Sequence, residues 1–226
     1  MADENLIKTL FTGNVASMGE NETVIASKVA LAFGISSPAD YWKISAAVQY
    51  MPDERIGFEN VFQTIGTTMY YLTGDCEDMA RVAVRLSKYK KWPTGYVAIF
   101  ADSWTRGHMF SWHVFENQTY FIDYNVVYKI NTDNVNNAVA AIKKVFPFHT
   151  RFWWITTDNA EKPESIKEVE GTADYGTVVY SQIFPNDRGS VKKELEALDI
   201  KVSGSIPIIP LVAAGIIGLL LIKGGF

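Results

Sequence analysis

The hydrophobic period of this chain changes at "WPTG", residues Trp92–Gly95, and that change constrains the fold more than any other feature. Upstream, apolar residues recur at helical spacing; downstream they alternate or run together as in strands. "ETVIASKVALAFG" predicts an amphipathic helix stopped by Gly34. "SSPADYWKISAAVQY" predicts a second, with Ser37 as N-cap, Pro38 at its first position and Asp40 in its first turn. "ENVFQTIGTTMYYL" predicts a third helix carrying Gly66. "DCEDMARVAVRLSKYKK" predicts a fourth, capped by Asp75, with Met79, Val82, Ala83 and Leu86 on its buried face.

Beyond the switch, "YVAIFAD" predicts a buried strand, and "HMFSWHVF" and "TYFIDYNVVY" predict two strands around a short turn. "TDNVNNAVAAIKKVF" predicts another helix. "RFWWITT" and "GTVVYSQIF" follow as strands, with the acidic stretch "DNAEKPESIKEVEG" as a loop between them, and "DRGSVKKELEALDI" is a last helix. Helices first and an antiparallel sheet after them define an α+β domain.

A chain of 226 residues is long enough for one substantial domain with appendages. Its organisation divides into a helical segment (1–36), a core (37–130), an α/β extension of the same domain (131–202) and an apolar tail (206–222). From Ile206 to Ile222, seventeen residues pass without a charge. As a helix they span about 25 Å, at the short end for a hydrocarbon layer of about 30 Å. The alternatives are a buried apolar hairpin docked on the domain and a single C-terminal transmembrane anchor. The anchor is favoured by the terminal position, the absence of charge and the glycine-rich exit "KGGF". Lys192, Lys193 and Lys201 lie on the domain side against Lys223 beyond it, which predicts a cytoplasmic domain. The N-terminus lacks the basic region and apolar stretch of a secretory signal.

A net charge of −4 and the absence of basic runs interleaved with aromatics argue against nucleic acid as a partner. One cysteine and three histidines, with neither Cys-x-x-Cys nor His-x-x-x-His, predict no metal site, and no cofactor motif is present.

The single cysteine, Cys76, stands among Asp75, Glu77 and Asp78. Neighbouring anions raise a thiol's pKa, whereas a helix N-terminus lowers it. Both hold here, because Cys76 falls in the first turn of the fourth helix. The expectation is that the acids serve as caps and first-turn residues pointing away from the sulfur. A reactive cysteine needs a histidine, and the histidine an orienting acceptor. If Glu116-Asn117 forms a two-residue turn, Asp123 faces Phe110, and His108 lies diagonally from Asp123 on that face, while His113 points away. A three-residue turn reverses the choice between the two histidines.

"GDCEDMA", "GHMF" some thirty residues on, and "YFID" after it resemble the transglutaminase-like superfamily of papain-related thiol enzymes. Its pattern is Gly-x-Cys-x-Asp-x-Ala on a helix, Gly-His-Ala-Trp opening a strand, and an Asp closing the next. "VQYMPDE" and "WPTGYVA" are similar to the bacterial and phage-type members, and the likeness covers roughly residues 40 to 130. Met109 and Phe110 depart from the pattern, standing where Ala and Trp are usual. The resemblance implies a papain-like α+β core within 37–130, Cys76 as nucleophile, His108 as general base and acid, and Asp123 as the group orienting the imidazole. It also implies an oxyanion donor from the Cys76 backbone N–H and an upstream side chain, with Trp42 and Gln49 as candidates.

The resulting expectation is a membrane-anchored cysteine enzyme acting on a protein or peptide substrate by acyl transfer at amide bonds. Hydrolysis is favoured over transamidation. The alternative is a catalytically silent structural or binding module of a membrane-associated assembly, for instance in a virion.

Overall fold

The computed structural model describes residues 22–45, 47–51, 63–101, 107–159, 162–175, 180–183, 192–193 and 196–197. Five helices are described: α1 (Glu22–Ala32), α2 (Trp42–Ser45), α3 (Ile65–Tyr71), α4 (Cys76–Tyr89) and α5 (Val135–Ile142). The strands are β1 (Gln49–Tyr50), β2 (Thr73–Gly74), β3 (Thr94–Phe100), β4 (Gly107–Phe115), β5 (Gln118–Asp123), β6 (Val126–Ile130), β7 (Arg151–Asn159), β8 (Lys162–Glu168) and β9 (Tyr180–Ile183). Seven of them form one antiparallel sheet in the order β8-β7-β3-β4-β5-β6-β9, and β1 pairs with β2 in parallel. The architecture is α+β, as the change of period predicts, and β7 from the C-terminal extension lies directly against β3.

Alternation along β4 assigns each residue to a face. Met109 packs with Ala80 and Val84 of α4, whereas Phe110 and Trp112 pack with Val139 and Ile142 of α5. Met79, Val82, Ala83 and Leu86 are buried, so α4 turns its apolar stripe inward as expected.

Three predicted elements take another form. The second helix is reduced to a 3-10 turn (Pro38–Tyr41) and the single turn of α2. The Asp40 carboxylate folds back onto the N–H groups of Ser36 (2.8 Å) and Ser37 (2.7 Å). Downstream, Gln49 N–H donates to Leu72 O (2.8 Å) and Met51 N–H to Gly74 O (3.0 Å), which draws the segment into β1. Pairing with a distant strand outweighs local helix preference here. "TYFIDYNVVY" is not one strand but β5 and β6, turned at Tyr124 (φ 52°), whose hydroxyl donates to Val48 O. The acidic loop contains the edge strand β8, where Arg151 grips Glu168 at 3.0 and 3.1 Å and Lys167 lies over the Trp154 ring. An edge strand carrying charge is shielded from pairing with another chain. The predicted last helix falls largely, and the predicted anchor 206–222 wholly, outside the described residues. Among the described residues no helix is long and apolar enough to cross a membrane.

His113 is buried between β4 and α4. Its Nδ1 lies 2.7 Å from Ser87 Oγ and 2.9 Å from Thr94 Oγ1, and its Nε2 lies 2.7 Å from Ser111 Oγ. Tyr41 closes the network through Ser87 at 3.0 Å. Burial pushes the imidazole down to about 3, so the native ring is neutral. In the unfolded chain the same ring takes up a proton near pH ~6.5. Its contribution is therefore complete above that pH and is lost progressively as the pH falls towards 3. Nitrogen-15 NMR of the native protein at mildly acid pH is expected to show a neutral His113 ring. Protonation there without unfolding contradicts this account.

Candidate active site

The N-terminus of α4 is held by Asp78. Its Oδ2 accepts from the Asp75 N–H at 3.2 Å, and its Oδ1 accepts from the Gln63 N–H at 2.6 Å. Asp75 takes the N-cap position with extended backbone. A Cβ on Gly74 would lie 2.8 Å from the Asp78 Cβ, so the glycine makes room for the acid that caps the helix. The Gly-x-Cys-x-Asp spacing thus has a local physical reason: it fixes Cys76 as the first residue of a well-capped helix.

The β4–β5 ladder runs from Phe115↔Gln118 to Ser111↔Ile122. Glu116 and Asn117 form a two-residue turn with both φ values positive, 51° and 59°, the geometry that suits a twisted hairpin. Met109 lies beyond the last ladder pair, and its N–H donates to the Cys76 sulfur. On the adjoining residue, His108 Nε2 lies 2.7 Å from Asp123 Oδ1, and the ring packs beside Phe110 and Phe146. An ionised Asp123 accepts the Nε2–H, which leaves Nδ1 carrying the lone pair. His108 and Asp123, beside Phe110 and Phe146, lie on the α5 side of β4, whereas Cys76 packs with Met109 on the α4 side; both reach the end of the sheet where β4 and β5 part. His113 is elsewhere, in the network described above.

The acids differ from their expected placement. Asp75 and Asp78 cap the helix reciprocally, as expected, but Glu77 and Asp75 do not point away from the sulfur. The Cys76 thiol donates to Glu77 Oε2 at 3.1 Å, and the Glu77 and Asp75 carboxyls hydrogen-bond to each other. Both acids are buried, at 4% and 6% exposure, so the first turn has no water in which to disperse them. Burial, reinforced by Asp75, pushes Glu77 up to about 9, so it holds its proton near neutral pH. Burial also pushes the Cys76 thiol well up, with Glu77 and Asp75 adding to it and the Met109 N–H opposing it. The resting sulfur is a thiol.

Asp75, Cys76 and Glu77 each bring one donor atom within 4.8 Å of the others, the one grouping close enough to share a cation among the described residues. In this structure they are engaged with one another by hydrogen bonds.

Of the two oxyanion candidates, Trp42 opens α2, and its side chain falls outside the described residues. Gln49 lies on β1 and is exposed. Its neighbour Tyr50 was not singled out by the sequence, yet burial and the acidic groups of Cys76, Asp75, Glu77 and Asp123 together push its hydroxyl up. Nothing in the periodicity of "VQYMPDE" marks it; the β1–β2 pairing puts it there. No protein-family model, no curated protein and no solved structure matches the chain.

Proposed function

We propose that the domain is a transglutaminase-like thiol enzyme that transfers acyl groups from peptide or amide carbonyls through Cys76, His108 and Asp123. The observation that carries this reading is the 2.7 Å His108–Asp123 hydrogen bond, one residue from the amide that contacts the Cys76 sulfur. In the reaction, His108 Nδ1 takes the thiol proton as Sγ bonds to the carbonyl carbon. The proton then passes to the departing amine, and water releases the acyl group. Hydrolysis is preferred over transfer to a second amine. A membrane tether through 206–222 belongs to the same proposal and would confine the enzyme to substrates near a bilayer.

One observation favours a second reading, a catalytically silent module: the thiol proton is held by Glu77 rather than by a histidine. 4-Nitrophenyl acetate separates the two. The enzyme is expected to release nitrophenolate in a burst near neutral pH, leaving an acetyl group on Cys76 that mass spectrometry locates. Acetylation no faster than that of free cysteine would leave the silent module standing.

A further inference from the structure

We propose that Tyr50 is the side-chain donor to the oxyanion formed when Cys76 attacks a carbonyl, completing the site together with the Cys76 backbone N–H. The inference rests on the thiol-enzyme reading above and assigns a role that the sequence left between Trp42 and Gln49.

Tyr50 is fixed from two sides. Through its backbone it is registered against Gly74, two residues before Cys76, in the β1–β2 pair. Through its ring it stands edge-on to Tyr124, the residue after Asp123, with centroids 6.2 Å apart and planes at 90°. Tyr124 in turn ties back to β1 by donating to Val48 O. Tyr50 therefore links, through its backbone and its ring, the strand that leads to the nucleophile and the turn that follows the imidazole's partner. It remains 50% exposed, at the surface beside these elements rather than in the core. Alternation along the two-residue strand directs Gln49 to the opposite side.

The chemistry of the surroundings selects a hydroxyl. Asp75, Glu77 and Asp123 crowd the site with groups that accept hydrogen bonds or share a proton with one another. A developing oxyanion needs donors. Burial and those neighbouring acidic groups push the Tyr50 hydroxyl up to about 12, so it keeps its proton throughout the working range. Donation to the oxyanion involves no proton transfer. The Sγ–C bond forms, the carbonyl π pair moves to oxygen, and the thiol proton goes to His108. When the oxyanion collapses, 4-nitrophenolate leaves from the model ester.

The test compares two reactions of the same sulfur. Acylation by 4-nitrophenyl acetate passes through an oxyanion, whereas alkylation by iodoacetamide displaces iodide and forms none. Tyr50→Phe is expected to slow acylation by about 10²–10³-fold, the usual effect of losing one such donor, and to leave alkylation unchanged. Gln49→Ala is expected to change neither. Equal slowing of both reactions by Tyr50→Phe overturns the proposal, because the residue then acts on the thiol itself. Unchanged acylation in Tyr50→Phe, or loss in Gln49→Ala instead, also overturns it. If wild-type Cys76 is alkylated but not acylated faster than free cysteine, the thiol-enzyme reading fails and the donor role fails with it.

Discussion

Asp123→Asn is expected to slow acylation of Cys76 by about 10⁴-fold, the scale seen when the orienting carboxylate of a catalytic triad becomes an amide. The reason is a tautomer. Asp123 accepts at 2.7 Å from His108 Nε2, so the ring's proton sits on Nε2 and Nδ1 is free to act as base. An asparagine presenting its N–H₂ to Nε2 reverses this arrangement and places the ring's proton on Nδ1. The thiol is then left on Glu77, which already carries a proton. Asp123→Ala should lose less, because the ring can adopt either tautomer. His108→Ala removes the proposed base outright and should fall within the range of about 10²–10⁴-fold attributed to general-base assistance. A pH profile adds a second signature. Because the Cys76 thiol is pushed well up, a variant without a base should gain rate steadily as alkali supplies thiolate. A rate in Asp123→Asn equal to wild type across that profile would remove His108 and Asp123 from the reaction.

How much of this was legible in the sequence depends on whether the deciding contact was local. The α4 cap, its buried stripe and the hairpin at Glu116-Asn117 follow from neighbours within four residues, and the register that pairs Ser111 with Ile122 follows from that turn. The positions of His108 and Asp123 follow from the same register. Tyr50 was not legible, because β1 exists only through hydrogen bonds to Leu72 and Gly74, more than twenty residues away. The misread acids share this cause. Asp75 as N-cap and Asp78 three residues on cap the helix reciprocally, which spacing foretells, but only packing decides which acids also press on the sulfur. Asp78 meets Gly74 and Gln63, whereas Glu77 is buried against Cys76 and Asp75. The split of "TYFIDYNVVY" was hidden because a tyrosine, rather than glycine or asparagine, holds the left-handed position, and its tertiary bond to Val48 supports it there.

Glu22→Ala is expected to destabilise the fold by about 3–5 kcal/mol, the cost of leaving a buried charge without its partner. Glu22 begins α1 and reaches three other groups with one carboxylate. Arg81 Nε and NH2 of α4 donate to it at 3.0 and 3.1 Å, Arg85 pairs with it, and the Ile65 N–H at the start of α3 donates at 3.0 Å. Arg81 is only 2% exposed, so deleting the acid takes two hydrogen bonds and a countercharge from a guanidinium in the core, whereas a surface pair would count for little. Burial alone would raise the Glu22 carboxyl, but Arg81 and Arg85 outweigh it and hold the group below its ordinary value. Its contribution is therefore present above the unfolded carboxyl's pKa and is lost as the pH falls through the lower native one. Urea unfolding of Glu22→Ala near neutral pH measures the penalty, and Glu22→Ala combined with Arg81→Met isolates its cause. If the weakened compensation of the Arg81 charge dominates, the double variant should be more stable than Glu22→Ala alone, although it carries one more substitution. If the double variant is weaker still, packing rather than charge holds α1 and α3 to α4. This cross-tie also bears on the proposed reaction, because α4 presents Cys76 at its first residue and meets Glu22 through Arg81 and Arg85, five and nine residues further along. Loosening it should therefore slow acylation of Cys76 in the protein that remains folded, and do so more than alkylation, which needs no alignment with His108.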